Sequence, residues 1–80
     1  MNEYINLVIE ELHTRDGWEF TQASAFQSFK EARQWILDQK PTEILADSGV
    51  DEGRDTDEFW ALFDEPNGAV RMHTTVADWN

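Results

Sequence analysis

The first apolar pattern along the chain falls in residues 4–14, and it satisfies two periods at once. Ile5, Leu7 and Ile9 alternate as a strand does, while Ile5, Val8, Ile9 and Leu12 fit the helical i, i+3, i+4, i+7 spacing. The residues that follow favour the strand. Asp16-Gly17 is a turn signal, and Trp18-Glu19-Phe20-Thr21 alternates in β-favouring types, so the pattern predicts a hairpin with strands over 4–14 and 18–26. On the helical alternative, Gly17 would serve as its C-cap.

The next element has its own start and stop signals. Ser28-Phe29-Lys30-Glu31 is a capping box, and Phe29, Ala32, Trp35 and Ile36 form one apolar stripe. Lys40 sits where the helix dipole favours a cation. Pro41 takes Lys40 out of helical geometry. A helix over 29–39 follows. Residues 43–46 suggest a short third strand, and 47–58 (DSGVDEGRDTDE) read as an acidic, solvated loop. Residues 59–64 and 69–76 flank Glu65-Pro66-Asn67-Gly68, where Asn-Gly between β-rich runs signals a second hairpin. Asp78-Trp79-Asn80 is left as a tail or a late edge contact. The sum is an α+β fold of order ββα(β)ββ: a small antiparallel sheet with one helix packed on one face. Its opposite face stays open or serves dimerisation or partner binding.

Length and composition sharpen this picture. Eighty residues suit a single domain, 1–80, whose core must be dense in large apolar groups. Four tryptophans and five phenylalanines supply them and argue against disorder. The absence of cysteine points to the cytoplasm rather than to a disulfide-stapled secreted domain. The first residues lack the basic and apolar regions of a signal peptide, and no apolar run is long enough for a membrane span.

Charge narrows the partners. A net charge of −11 disfavours direct contact with nucleic acid or an anionic membrane and favours a basic protein. Asp47, Asp51, Glu52, Asp55, Asp57 and Glu58 crowd one loop with only Arg54 for compensation, and Asp64 and Glu65 extend the charge onto the neighbouring hairpin. Spaced carboxylates on a rigid surface imitate the regular charges of a phosphate backbone. In size and charge the chain resembles phage-encoded inhibitors of host defence nucleases, including anti-CRISPR and anti-restriction proteins. That resemblance implies a small inhibitor covering the basic, nucleic-acid-binding surface of a larger protein, as a monomer or homodimer. Trp60, next to the acidic loop, joins those carboxylates as a candidate contact, and Trp79 is a second. The competing expectation is an accessory subunit of a complex, whose acidity serves solubility alone.

Catalysis, metals and cofactors find less support. With Asp47 in the first position of a calcium loop, Asp51, Asp55 and Glu58 fall on ligand positions, which makes a calcium-binding domain a distant alternative. Yet Gly49 occupies a ligand position, and Glu52 stands where the turn needs glycine, with Gly53 one place late. His13 and His73 lack zinc-ligand spacing and read as ordinary strand positions. Glu10-Glu11 and Asp64-Glu65 are paired carboxylates of the kind that could divide acid and base roles, but adjacent acids are background in so acidic a chain. The expectation is a non-enzymatic protein without cofactor or metal.

Overall fold

The alternation in the first quarter of the chain resolves as a strand. A computed structural model describes residues 3–48 and 58–79, and in it β1 spans Glu3–Thr14 and β2 spans Gly17–Phe26. Helix α1 follows at Phe29–Asp38, then β3 at Glu43–Ser48, β4 at Glu58–Glu65 and β5 at Gly68–Trp79. The five strands form one sheet in the order β2-β1-β5-β4-β3, with every neighbouring pair antiparallel. The ββα(β)ββ order expected from the sequence is the observed one. No helix among the described residues is long and apolar enough to cross a membrane.

The chain enters α1 from one sheet edge, β2, and leaves it for the other, β3, so the helix crosses a single face. Ser28 is extended and its Oγ accepts from the Glu31 backbone N–H at 3.1 Å, as the capping box requires. At the far end, the Gln39 and Lys40 N–H groups donate to Ile36 and Leu37 carbonyls, and Lys40 takes φ 58°, the left-handed conformation that closes many helices. Phe29, Ala32 and Ile36 are buried against Val8 of β1, Phe59, Ala61 and Phe63 of β4, and Met72 of β5. Trp35, expected in the core, lies at its margin instead. It is partly buried, tilted against Phe26 with ring centroids 5.4 Å apart. Its place on the helix directs it toward the β2 edge, where the sheet runs out before it can cover the indole.

Three boundaries differ from the sequence reading. Asp47 and Ser48 complete β3, and Glu58 opens β4 directly opposite Ser48, so the ends of the expected loop are paired strand. Asp78 and Trp79 belong to β5, a central strand, with Trp79 opposite Glu3. The hairpin turns are also shifted by one. Pro66-Asn67 and Arg15-Asp16 form the two-residue loops, closed by the pairs Glu65–Gly68 and Thr14–Gly17. Among the described residues only Lys40, Gly17 and Gly68 have positive φ. Asn67 therefore does not adopt the left-handed turn geometry that Asn-Gly usually signals. Pro66 presets the first turn position, and the unusual conformation passes to the glycine after the turn.

Candidate interaction surfaces

Two regions carry exposed chemistry, and the register of the sheet separates them. The first is the β3–β4 edge. Glu43, Asp47, Glu58, Asp64 and Glu65 are all exposed there. Asp47 is gripped by Arg33 of α1 through two parallel bonds, Nε to Oδ1 at 2.9 Å and Nη2 to Oδ2 at 2.7 Å. The same guanidinium lies 5.3 Å from the centre of the Phe59 ring. Its hydrogen bonds hold the Asp47 carboxyl below the usual carboxylate range, so Asp47 stays ionised while partly neutralised by its partner.

The edge is not the continuous patch expected from the sequence. β4 runs from Glu58 to Glu65, which puts Glu58 and Asp47 at one end of the strand and Asp64 and Glu65 at the other. At about 3.3 Å per residue, the two groups stand roughly 20 Å apart. Glu43 belongs to the second group, across from Leu62. Thr42 fixes that corner: its N–H donates to the Leu62 carbonyl at 2.8 Å, and its Oγ1 accepts from the Asp64 N–H at 2.9 Å. Asp51, Glu52, Asp55 and Asp57 lie outside the described residues. The calcium reading needed a helix on either side of its loop, and both flanks are strands. Among the described residues no group of three or more His, Asp or Glu side chains is arranged to hold a metal ion.

The second region is the sheet face turned away from α1. Residues directly opposite in the ladder share a face, so Glu11, Arg71, Trp18 and Phe20 lie together on it, as do Trp60 and His73. Arg71 is the centre of this group. Its Nη2 and Nε lie 2.7 and 2.9 Å from Glu11 Oε1, and its guanidinium sits 4.3 Å from the Trp18 ring centre and 5.1 Å from that of Trp60. Two indoles and a carboxylate thus hold one cation in a half-buried setting, where such contacts are worth more than at full exposure. His73 stacks flat on Trp60, with centroids 4.0 Å apart and planes 8° from parallel, and its Nε2 is 3.4 Å from Glu11 Oε1. His13 tilts against Trp18 at 4.9 Å.

Trp60, expected beside the acidic loop, belongs to this cluster and is partly buried by it. The paired carboxylates are also separated. Glu10 accepts from Thr21 Oγ1 and Gln22 Nε2, while Glu11 turns to Arg71 on the other face, because successive strand residues alternate. Sequence reasoning passed over the cluster as a unit. Its trace was there in Arg71 and His73, two residues apart in a strand that also carries apolar groups, but naming Glu11, Trp18 and Trp60 as their partners requires the strand order. Comparison with known proteins returned no matching family model, no matching curated protein and no matching solved structure.

Proposed function

We propose that this chain is an acidic protein-binding domain that inhibits by occupying the basic, nucleic-acid-binding surface of a larger protein. The observation that supports it is the β3–β4 edge, where exposed carboxylates stand in two groups at the ends of a rigid strand, on a chain of net charge −11. A sheet edge holds such charges at fixed spacing, and a basic groove built for phosphates meets them with little rearrangement. Asp51, Glu52, Asp55 and Asp57, which lie outside the described residues, add four further carboxylates to the sequence between Asp47 and Glu58.

The test is competition. The partner is captured on the immobilised chain and then challenged with duplex DNA, single-stranded DNA and RNA at low and moderate salt. Nucleic acid should displace the partner, and binding should weaken steeply with salt as exposed charges are screened beyond a Debye length of about 8 Å. A variant with Glu43, Glu58, Asp64 and Glu65 changed to Gln or Asn should bind at least about tenfold more weakly while keeping its fold. A partner held equally well by that variant, or left in place by nucleic acid, sinks this reading. Salt-tolerant association would point to an accessory subunit instead.

A further inference from the structure

A groove runs between α1 and the β2 end of the sheet. Glu31, Gln34, Trp35 and Asp38 recur at helical spacing and share one side of α1. With Phe26, the last residue of β2, they line an open groove of about 460 Å³. Phe26 and Trp35 form its apolar wall, with ring centroids 5.4 Å apart and planes 47° from parallel, and both are only partly buried. Glu31 and Asp38 are exposed. Seven residues at about 1.5 Å rise put these two roughly 10 Å apart along the helix, on either side of the indole.

The unused bonding capacity at this corner is for accepting. Asp38 Oδ1 takes a hydrogen bond from Gln34 Nε2 at 2.8 Å. Among the described residues no hydrogen bond or ion pair engages Asp38 Oδ2 or the Glu31 carboxylate. Asn6, directly opposite Phe26 in the ladder and so on the same face, is 1% exposed, and its Oδ1 has no hydrogen-bond partner. No Lys, Arg or His lines the groove. Two aromatic rings between two carboxylates suit an organic cation, whose alkyl stem covers the rings while its charged head meets their faces and the carboxylates. A metal ion fits poorly, because carboxylates roughly 10 Å apart do not converge on it.

The strand beside the groove indicates how such a cation arrives. β2 ends the sheet, so its outer backbone groups pair with no strand among the described residues. Natural sheet edges are blunted by shortness, charge or proline. β3, at the other end, has six residues, among them Glu43 and Asp47. β2 has ten, with Glu19 as its single charge and no proline. We infer that a basic, extended segment of a partner protein adds to the sheet along β2 and lays a lysine or arginine side chain in the groove between Phe26, Trp35, Glu31 and Asp38. Residues opposite each other in a ladder share a face, so the partner residue across from Phe26 projects to the α1 side, where the indole and the carboxylates receive it. This site lies at the opposite end of the strand order from the β3–β4 edge and does not depend on it.

Heteronuclear NMR on the full chain tests this with an end-blocked hexapeptide of alternating lysine and threonine. The peptide should shift the Trp35 indole N–H and the β2 backbone amides, and a matched peptide of glutamine and threonine should bind at least about tenfold more weakly. Glu31→Gln with Asp38→Asn should raise the dissociation constant of the lysine peptide at least about tenfold. Asp64→Asn with Glu65→Gln removes the same charge from the far edge and should leave that constant within about twofold. Trp35→Leu keeps an apolar side chain against Phe26, and should weaken binding at least about fivefold with an unchanged circular dichroism spectrum. Butylammonium, a cation without a backbone, should bind at least about tenfold more weakly than the peptide. Equal losses in the two double variants would mean diffuse attraction to an acidic chain and would overturn the inference. So would a lysine peptide that leaves Trp35 and β2 unshifted, a Trp35→Leu variant that binds as the parent does, or butylammonium binding as tightly as the peptide.

Discussion

His73 shows how much a single side chain's setting depends on residues distant in sequence. Burial against Trp60 is the largest influence on its imidazole and pushes the pKa below the ordinary value of 6.5. Glu11 on β1 opposes that shift, and Arg71 on β5 adds to it. Because the folded pKa is depressed, the unfolded chain takes up the proton first. The neutral ring's contribution to stability is complete above about pH 6.5 and is lost as the pH falls through the folded-state value. Urea denaturation from pH 7.5 down to about pH 5 should show stability declining, and His73→Gln should flatten that part of the profile. An unchanged slope in the variant would mean that other groups carry it. None of this was legible in the sequence, where His73 is one polar residue in a strand. The cation held between Trp18 and Trp60 was equally hidden, since its three partners come from three other strands.

At the scale of elements the sequence was far more informative. The Ser28 cap, the Pro41 stop and the alternation in β1, β2, β4 and β5 are local signals, and local physics sets the structures they predict. The errors arose where two local signals competed or where tertiary pairing ruled. Asp47, Ser48 and Glu58 look like solvated loop, yet ladder bonds between β3 and β4 extend the strands through them. Trp35 fits the apolar stripe, but how far it is covered depends on where the sheet ends. Asp16-Gly17 and Asn67-Gly68 did mark turns, but in both hairpins the glycine follows the two-residue loop instead of sitting within it. The surroundings of the two glycines separate the hairpins experimentally. Gly17 and Gly68 both have positive φ, 111° and 132°, but a Cβ at Gly17 meets nothing within 4 Å, whereas at Gly68 it would lie 3.1 Å from the His13 carbonyl oxygen. Gly17→Ala should cost about 1 kcal/mol from backbone strain alone, and Gly68→Ala more, about 2 kcal/mol. Chemical denaturation of the two variants measures the difference. Equal losses would mean that the β1–β5 ladder absorbs the extra contact by shifting.

For the whole molecule, the governing feature is that the first and last described strands are neighbours at the centre of the sheet. Glu3 stands opposite Trp79 and Leu12 opposite Val70. The hairpins β1–β2 and β4–β5 pair locally, but the ladder that joins them closes across nearly the whole described chain. Refolding followed by tryptophan fluorescence should therefore take milliseconds to seconds rather than microseconds, because non-local pairing must be reached through the loss of chain entropy. A microsecond phase carrying the full fluorescence change would contradict that. The same arrangement bears on how the chain is made. As it emerges from the ribosome, its β1–β2 hairpin and the apolar side of α1 have no sheet to complete until β5 follows. The core then forms in one late step, once the tunnel has released that strand. Until that moment nascent chains expose the inner edge of β1, and those made in quick succession on one message are held close together. Seventeen acidic side chains, spread from Glu3 to Asp78, keep such unfinished neighbours apart by repulsion. On this account the acidity protects the chain during its own synthesis.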